Sequence, residues 1–272
     1  MSPRALQALG DLEARTLSVD GGRLKLEWGV LRARTGEHVE DLLWWDGDRL
    51  LGFLGIYAFG PPAVELAGIV DPAARRQGIA TALLDAALPL CGDRGYQQAL
   101  LVTPRGSVAG AAFARTRGAV LEHSEHALML PGVPTSGPAY SQLSVRPAEA
   151  ADADDVARLL TAAFGLAPGQ ERSAEEREST LVAEVAGTVV GTVRLTRDGD
   201  VGGVYGFAVD PAWQGRGVGR DVLRRVCHQL RAEGVQRVGL EVAVENDRAL
   251  GLYTSLGFVE VTTEDYYQLE LG

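Results

Sequence analysis

The stretch "DPAWQGRGVGRDVL", residues 210–223, sets Gly215, Gly217 and Gly219 at alternate positions directly before an apolar repeat. Each glycine costs up to about 1 kcal/mol in a helix interior, so their clustering at a helix start calls for a compensating use. Upstream, "GGVYGFAVD" (202–210) reads as a strand; downstream, Val218, Val222, Val226 and Leu230 mark one face of a helix. A strand that turns through glycines into a helix collects unpartnered backbone N–H groups at the positive end of the helix dipole. That is an anion site. Residues without side chains admit a bulky phosphate to the backbone and tolerate positive φ, while Arg216 and Arg220 add charge. The same glycines would also serve a tight strand-to-helix turn with no ligand. A P-loop needs GxxxxGK followed by Ser or Thr, which is absent, and the dinucleotide fingerprint has Arg220 where its third glycine belongs.

The stretch occurs in a repeat. Gly52, Asp71, Pro72, Ala73, Gly78, Leu84, Gly95, Gly118, Val120 and Leu130 recur as Gly191, Asp210, Pro211, Ala212, Gly217, Leu223, Gly234, Gly257, Val259 and Leu269, every pair 139 residues apart. A fixed offset over so long a span predicts a duplication. "PGVPTSGPAYSQ" (131–142) is rich in Pro, Gly and Ser and reads as a linker. The expected division is a first domain over 1–132, a linker over 133–143 and a second domain over 144–272.

Within the second copy, "VRPAEAADADDVARLLTAAF" predicts a strand end and an amphipathic helix, and "STLVAEVAGTVVGTVRLTRDGD" a hairpin turning at Ala186 and Gly187. "RVGLEVAVE" predicts a strand, "NDRALGLYTSLG" a short helix and "YYQLEL" a last strand. The fold class is α/β (α+β), each copy a mixed sheet flanked by helices. In the first copy Pro89 is expected to interrupt the helix "IATALLDAALPLC" early.

The 272 residues suit two domains, and 46% hydrophobic with 23% charged residues is ordinary for a globular chain. A net charge of −10 with no Lys/Arg run argues against a nucleic-acid partner. Cys91 and Cys227 have no neighbours at metal-ligand spacing, and His123 and His126, three apart in an expected strand, face opposite ways; no metal is expected. The N-terminal "MSPRALQALGDLEARTL" has neither a signal peptide's apolar core nor a membrane span's length, so a cytoplasmic protein with no membrane partner is expected.

Gln214, Gly217 and Gly219 form the pattern QxxGxG, which resembles the pyrophosphate loop of the GNAT superfamily of acyl-CoA-dependent N-acetyltransferases. "NDRALGLYTSLGF" (246–258) resembles the family's second signature, and "RRQGIA" (75–80) fits the loop in the first copy. The resemblance covers most of both halves and implies two tandem GNAT-like domains, each with a mostly antiparallel sheet. It implies acetyl-CoA as cosubstrate, with Phe207, Ala208 and Val209 as the strand pairing with the pantetheine arm. It implies that backbone groups of Gln214, Gly215, Arg216, Gly217, Val218, Gly219 and Arg220 hold the pyrophosphate. Asn246 would contact CoA or an ordered water, or serve as a helix N-cap. Arg75, Gly78 and Ala80 are the corresponding candidates in the first copy.

An alkylammonium of pKa near 10.4 is about one part in a thousand neutral at pH 7, so acetyl transfer to an amine needs a base, and the departing thiolate needs an acid. The arrangement of Glu241, Asn246 and Tyr253 is similar to that in the ribosomal-protein N-terminal acetyltransferases, which implies Glu241 as base and Tyr253 as acid. At the fixed offset these become Val102, Ser107 and Ala114, so the second half is expected to be catalytic and the first degenerate, with Glu65 as an alternative base on its strand. The tandem layout is similar to the mycothiol synthase family, whose base is a glutamate on the strand before the pyrophosphate loop. The nearest position here is Gly203, which counts against a mycothiol precursor as acceptor. The acceptor is expected to be the primary amine of a small molecule or peptide. The polar run "PGQERSAEERES" (168–179) reads as a solvated face; it also falls where acceptor helices lie in this family, so that its acidic residues would meet a cationic acceptor. A non-catalytic acyl-CoA sensor or interaction module is the alternative. The oligomeric state is left open.

Overall fold

The computed structural model describes residues 1–59, 62–165 and 174–271, without the side chains of 174 and 175. The chain forms two compact units, Met1–His126 with Val261–Gly272, and Ala127–Glu260. Of the polar run, 168–173 lie outside the described residues.

The first unit runs α1 (Pro3–Asp20), α2 (Trp28–Ala33), β1 (Asp41–Asp46), β2 (Arg49–Tyr57), β3 (Ala63–Val70), α3 (Ile79–Asp93), β4 (Gln98–Pro104), α4 (Val108–Thr116) and the start of β5 (Val120–Leu130). The second holds β6 (Leu143–Pro147), α5 (Ala153–Phe164), α6 (Ala174–Glu178), β7 (Thr180–Val185), β8 (Thr188–Asp198), β9 (Val201–Val209), α7 (Val218–Ala232), β10 (Arg237–Ala243) and α8 (Asp247–Ser255), and the chain ends in β11 (Val259–Glu270). Strand order is β1-β2-β3-β4-β11 in the first unit and β10-β9-β8-β7-β6 in the second. The sheets are mostly antiparallel, with parallel pairs at β3–β4 and β9–β10. Helices flank them: α3 packs Leu83, Leu84 and Ala87 on one face of the first sheet, and α1 packs Leu9 and Leu12 on the other.

The repeat is legible element by element. Helices α3 and α7 are both 15 residues long and start after a glycine with positive φ, Gly78 (φ 83°) and Gly217 (φ 89°). Both preceding turns are capped by an aspartate: Asp71 Oδ1 accepts from Ala73 N–H at 3.0 Å and Asp210 Oδ1 from Ala212 N–H at 2.9 Å. Each carboxylate also takes an arginine from the unit's first long helix, Arg15 Nε at 2.8 Å and Arg158 Nη1 at 2.7 Å. The hairpin turn at Ala186 (φ 49°) and Gly187 (φ 82°) falls where its residues placed it.

Three features differ from the sequence reading. Pro89 lies inside α3, which continues to Asp93; Ala87 and Cys91 are fully buried on its inner face, and this packing holds the helix through the missing N–H. Residues 133–143 are docked on the second unit: Thr135 N–H donates to Leu256 O at 2.9 Å, and Tyr140 packs against the core and donates its N–H to Asp221 Oδ2 at 2.9 Å. Finally, β11 is the last strand of the second copy in sequence, but its residues from Val261 onward belong to the first unit, pairing antiparallel with β4 from Glu264↔Pro104 to Glu270↔Gln98.

Candidate active site

In the second unit β9 and β10 pair only at Val201↔Arg237, Gly202↔Val238 and Gly203↔Gly239, although both strands continue. Beyond that point, residues 204–209 and 240–243 run without pairing to each other, leaving backbone donors and acceptors facing a gap. The cause is local. Thr192 pairs with Ala208 but Arg194 with Tyr205, so Gly206 and Phe207 together stand opposite Val193. This bulge, at Gly206 with φ 53°, bends the strand away from its neighbour. The corresponding pair in the first unit, β2 with β3, keeps a continuous register from Gly52↔Val70 to Tyr57↔Glu65, and β3 stays paired with β4 as far as Ala67↔Val102.

The gap ends at the glycine loop. Val218 is fully buried and anchors the start of α7, while Gln214, Gly215, Arg216, Gly217 and Arg220 are exposed. Gly215 (φ 74°) and Gly217 (φ 89°) both occupy the left-handed region. A Cβ at Gly219 would lie 3.5 Å from Phe207 and Val209 and 3.6 Å from Leu252, so loop, β9 and α8 converge there. The Gln214 side chain donates to Val209 O at 2.8 Å and closes the turn, and Arg216 rests on the Trp213 ring, 5.3 Å from its centroid. Arg248 was missed in the sequence: its Nη2 comes within 3.7 Å of a Cβ placed on Gly215, so its cation stands beside the loop amides. Gly217→Ala is expected to strain the backbone by about 1–2 kcal/mol and raise KM for acetyl-CoA with little change in kcat; initial-rate kinetics at varied acetyl-CoA checks it.

Tyr253 and Glu241 lie on opposite faces of the second sheet. Tyr253, on α8, lies in the core on the α7 side, 7% exposed, its ring edge-on to Phe258 with centroids 5.9 Å apart. Burial pushes its phenol up to about 12, so the hydroxyl stays protonated at neutral pH. On β10, Val238, Leu240 and Val242 point into the same core, so Glu241 shares the opposite face with Gly239. Gly239 is the register partner of Gly203, which puts half-buried Glu241 level with Tyr205 on that face. Asn246 is the N-cap of α8, its Oδ1 accepting from Ala249 N–H at 3.0 Å, and Ser107 repeats this in the first copy with Gly110 N–H at 3.1 Å. Gly203 is covered: a Cβ there would meet the Tyr205 ring at 2.4 Å and Thr196 Oγ1 at 2.5 Å.

The corresponding loop of the first unit is differently furnished. Arg75 bonds Asp20 of α1, with Nη1 to Oδ1 at 3.0 Å. Arg76 takes positive φ (65°) without being glycine, a conformation costing about 1 kcal/mol. Gly78 caps α3, and Ala80 stands in its first turn.

The Acetyltransferase (GNAT) family model matches residues 12–119 and again 150–258. Among curated proteins the chain is 30% identical to a mycothiol acetyltransferase of Thermobispora bispora, covering 98% of this chain and 97% of that one. It is 31% identical to another of Kytococcus sedentarius, covering 98% and 95%. Among solved structures it superposes on a GCN5-related N-acetyltransferase from Sphaerobacter thermophilus with TM-score 0.82 at 20% identity, covering 100% of this chain and 94% of that one. A tandem GNAT protein from the clavulanic acid biosynthesis pathway gives TM-score 0.68 at 18% identity, covering 98% and 95%. With the family model matched over both copies and relatives at this identity along nearly its whole length, the chain belongs to the GNAT acetyltransferase family, as a tandem acyl-CoA-dependent N-acetyltransferase.

Proposed function

We propose that the second unit transfers the acetyl group of acetyl-CoA to the primary amine of a small molecule by direct attack. The observation that carries this reading is the parting of β9 and β10 after a three-pair parallel contact, at a gap that ends in the exposed amides of 214–220. The pantetheine arm would pair with the edge of 207–209 that faces away from β8. The diphosphate would lie on the loop amides at the helix N-terminus, with Arg248 beside it. Glu241 takes the proton that the acceptor ammonium must lose, the neutral nitrogen adds to the thioester carbonyl carbon, and collapse breaks the C–S bond. Tyr253 then donates its proton to the leaving thiolate, and the second proton, which the nitrogen sheds as the amide forms, restores the phenol. Having base and acid on opposite faces of the sheet suits this order, since the amine and the departing sulfur lie on opposite sides of the carbonyl carbon.

The Tyr205 ring over Gly203 shapes the acceptor side of the gap, and the names of the relatives make a mycothiol precursor one acceptor to compare. The test is thiol release from acetyl-CoA with that amine, other small amines, aminoglycosides and peptides. Turnover with a small-molecule amine, lowered about 10²-fold or more in Glu241→Gln, is the expected result. Tight acetyl-CoA binding without transfer to any acceptor would overturn the catalytic reading in favour of a sensor.

A further inference from the structure

The bulge in β9 changes which residues of the two copies correspond. Tyr57 pairs with Glu65, whereas its repeat partner Thr196 pairs with Gly203. Upstream of the bulge the copies therefore match with an offset one residue shorter than elsewhere, and Glu65 holds the place that is Gly203 in the second unit. Glu65 lies on the same face of β3 as Ala67 and Ile69, toward α1. Tyr266 of β11 faces the same side, because its register partner is Val102, two residues past the partner of Glu65, Leu100.

An ammonium is already present there. Lys25, in the segment between α1 and α2, donates from Nζ to Tyr266 Oη at 2.6 Å and stands 3.3 Å from Glu65 Oε2. Tyr266 Oη in turn donates to Glu125 Oε2 at 2.8 Å, and the His123 ring stacks on Tyr266 with centroids 4.2 Å apart. Nζ is 5.0 Å from the Tyr266 ring centroid; with Oη so near, the ammonium sits off the hydroxyl end of the ring and the contact is a hydrogen bond. The Lys25 side chain is 7% exposed and that of Glu65 20%. A charge this buried persists only where partners replace its hydration, and one carboxylate plus one phenol oxygen polarised by a second carboxylate do so.

We propose that the first unit contains an alkylammonium site built from Glu65, Tyr266 and Glu125, filled by its own Lys25, so that this copy receives no external amine. The site does not depend on the activity of the second unit. It occupies, on the first sheet, the position that faces the acceptor side of the gap on the second. Glu65 is thereby assigned to a tethered cation rather than to base catalysis.

The test uses the full chain. Lys25→Ala removes the equivalent of n-propylammonium. Its unfolding midpoint is expected to fall below wild type and to recover saturably as n-propylammonium chloride is added, while wild type is unmoved. Tetramethylammonium chloride at the same ionic strength, having charge but no N–H donor, is expected to give no recovery, and Lys25→Ala/Glu65→Gln is expected to lose the rescue. Should Lys25→Ala fail to fold alone, refolding with n-propylammonium but not with tetramethylammonium supports the site. Equal responses to the two cations, no response to either, or a Lys25→Met variant as stable as wild type would each overturn it.

Discussion

Tyr253→Phe is expected to lower kcat by about 10²–10⁴-fold, the usual worth of a positioned acid, while leaving KM for acetyl-CoA near the wild-type value. Phenylalanine keeps the ring that packs against Phe258 and fills the core around α8, so the folded state is preserved and only the hydroxyl is lost. Burial that pushes the phenol up to about 12 fixes the sign of the pH dependence: the acid form is present below that value and lost above it. The wild-type rate is therefore not limited by Tyr253 ionisation across the neutral and mildly alkaline range, where an unburied tyrosine near 10 would begin to deprotonate. Initial rates of thiol release from pH 6 to 10, alongside thermal melts of both proteins, separate the roles. An unchanged kcat in a variant that melts like wild type would leave Tyr253 as a packing residue.

Asp221→Ala is expected to cost about 3–5 kcal/mol of stability, the range for breaking a buried ion pair by removing one partner. Asp221, in the first turn of α7, is 1% exposed, accepts the Tyr140 N–H at 2.9 Å and is paired with Arg224 and with Arg225 at 3.0 Å. Its loss strands the Arg224 guanidinium, whose side chain is 12% exposed, and releases residues 137–140 from α7, because Arg224 also bonds Gly137 O and Pro138 O. For a chain this long the midpoint would drop by roughly 6–20 °C. Urea unfolding followed by circular dichroism measures it, and a loss below about 1 kcal/mol, typical of an exposed pair, would contradict the assignment. The repeat position in the first unit is Ala82, so this anchor belongs to the second copy alone.

What could be read in the sequence was local and periodic. The constant offset carried over to helices of equal length and glycines of matching φ, because a turn needing positive φ selects glycine wherever it recurs. The glycine loop, the short helix with Tyr253 and the strand with Glu241 were all marked by residue types that chemistry or capping demands. The bulge at Gly206 left no mark. In a chain with 34 glycines one more is uninformative, and the offset is restored immediately downstream. The bulge nevertheless opens the gap and shifts the correspondence of Glu65 from Val204 to Gly203. Long-range pairing was equally silent: docking of 133–143 depends on a buried aspartate some eighty residues away, and β11 joins a unit begun by the other copy. Arg248 lay inside a recognised signature but at a position that the signature leaves unspecified.

The most direct measurement is a crystal structure of the full chain with acetyl-CoA. The diphosphate is expected on the amides of 214–220, with the pantetheine between β9 and β10 and the thioester between Glu241 and Tyr253. A well-ordered coenzyme bound elsewhere, with β9 and β10 closed over the gap, would contradict the account.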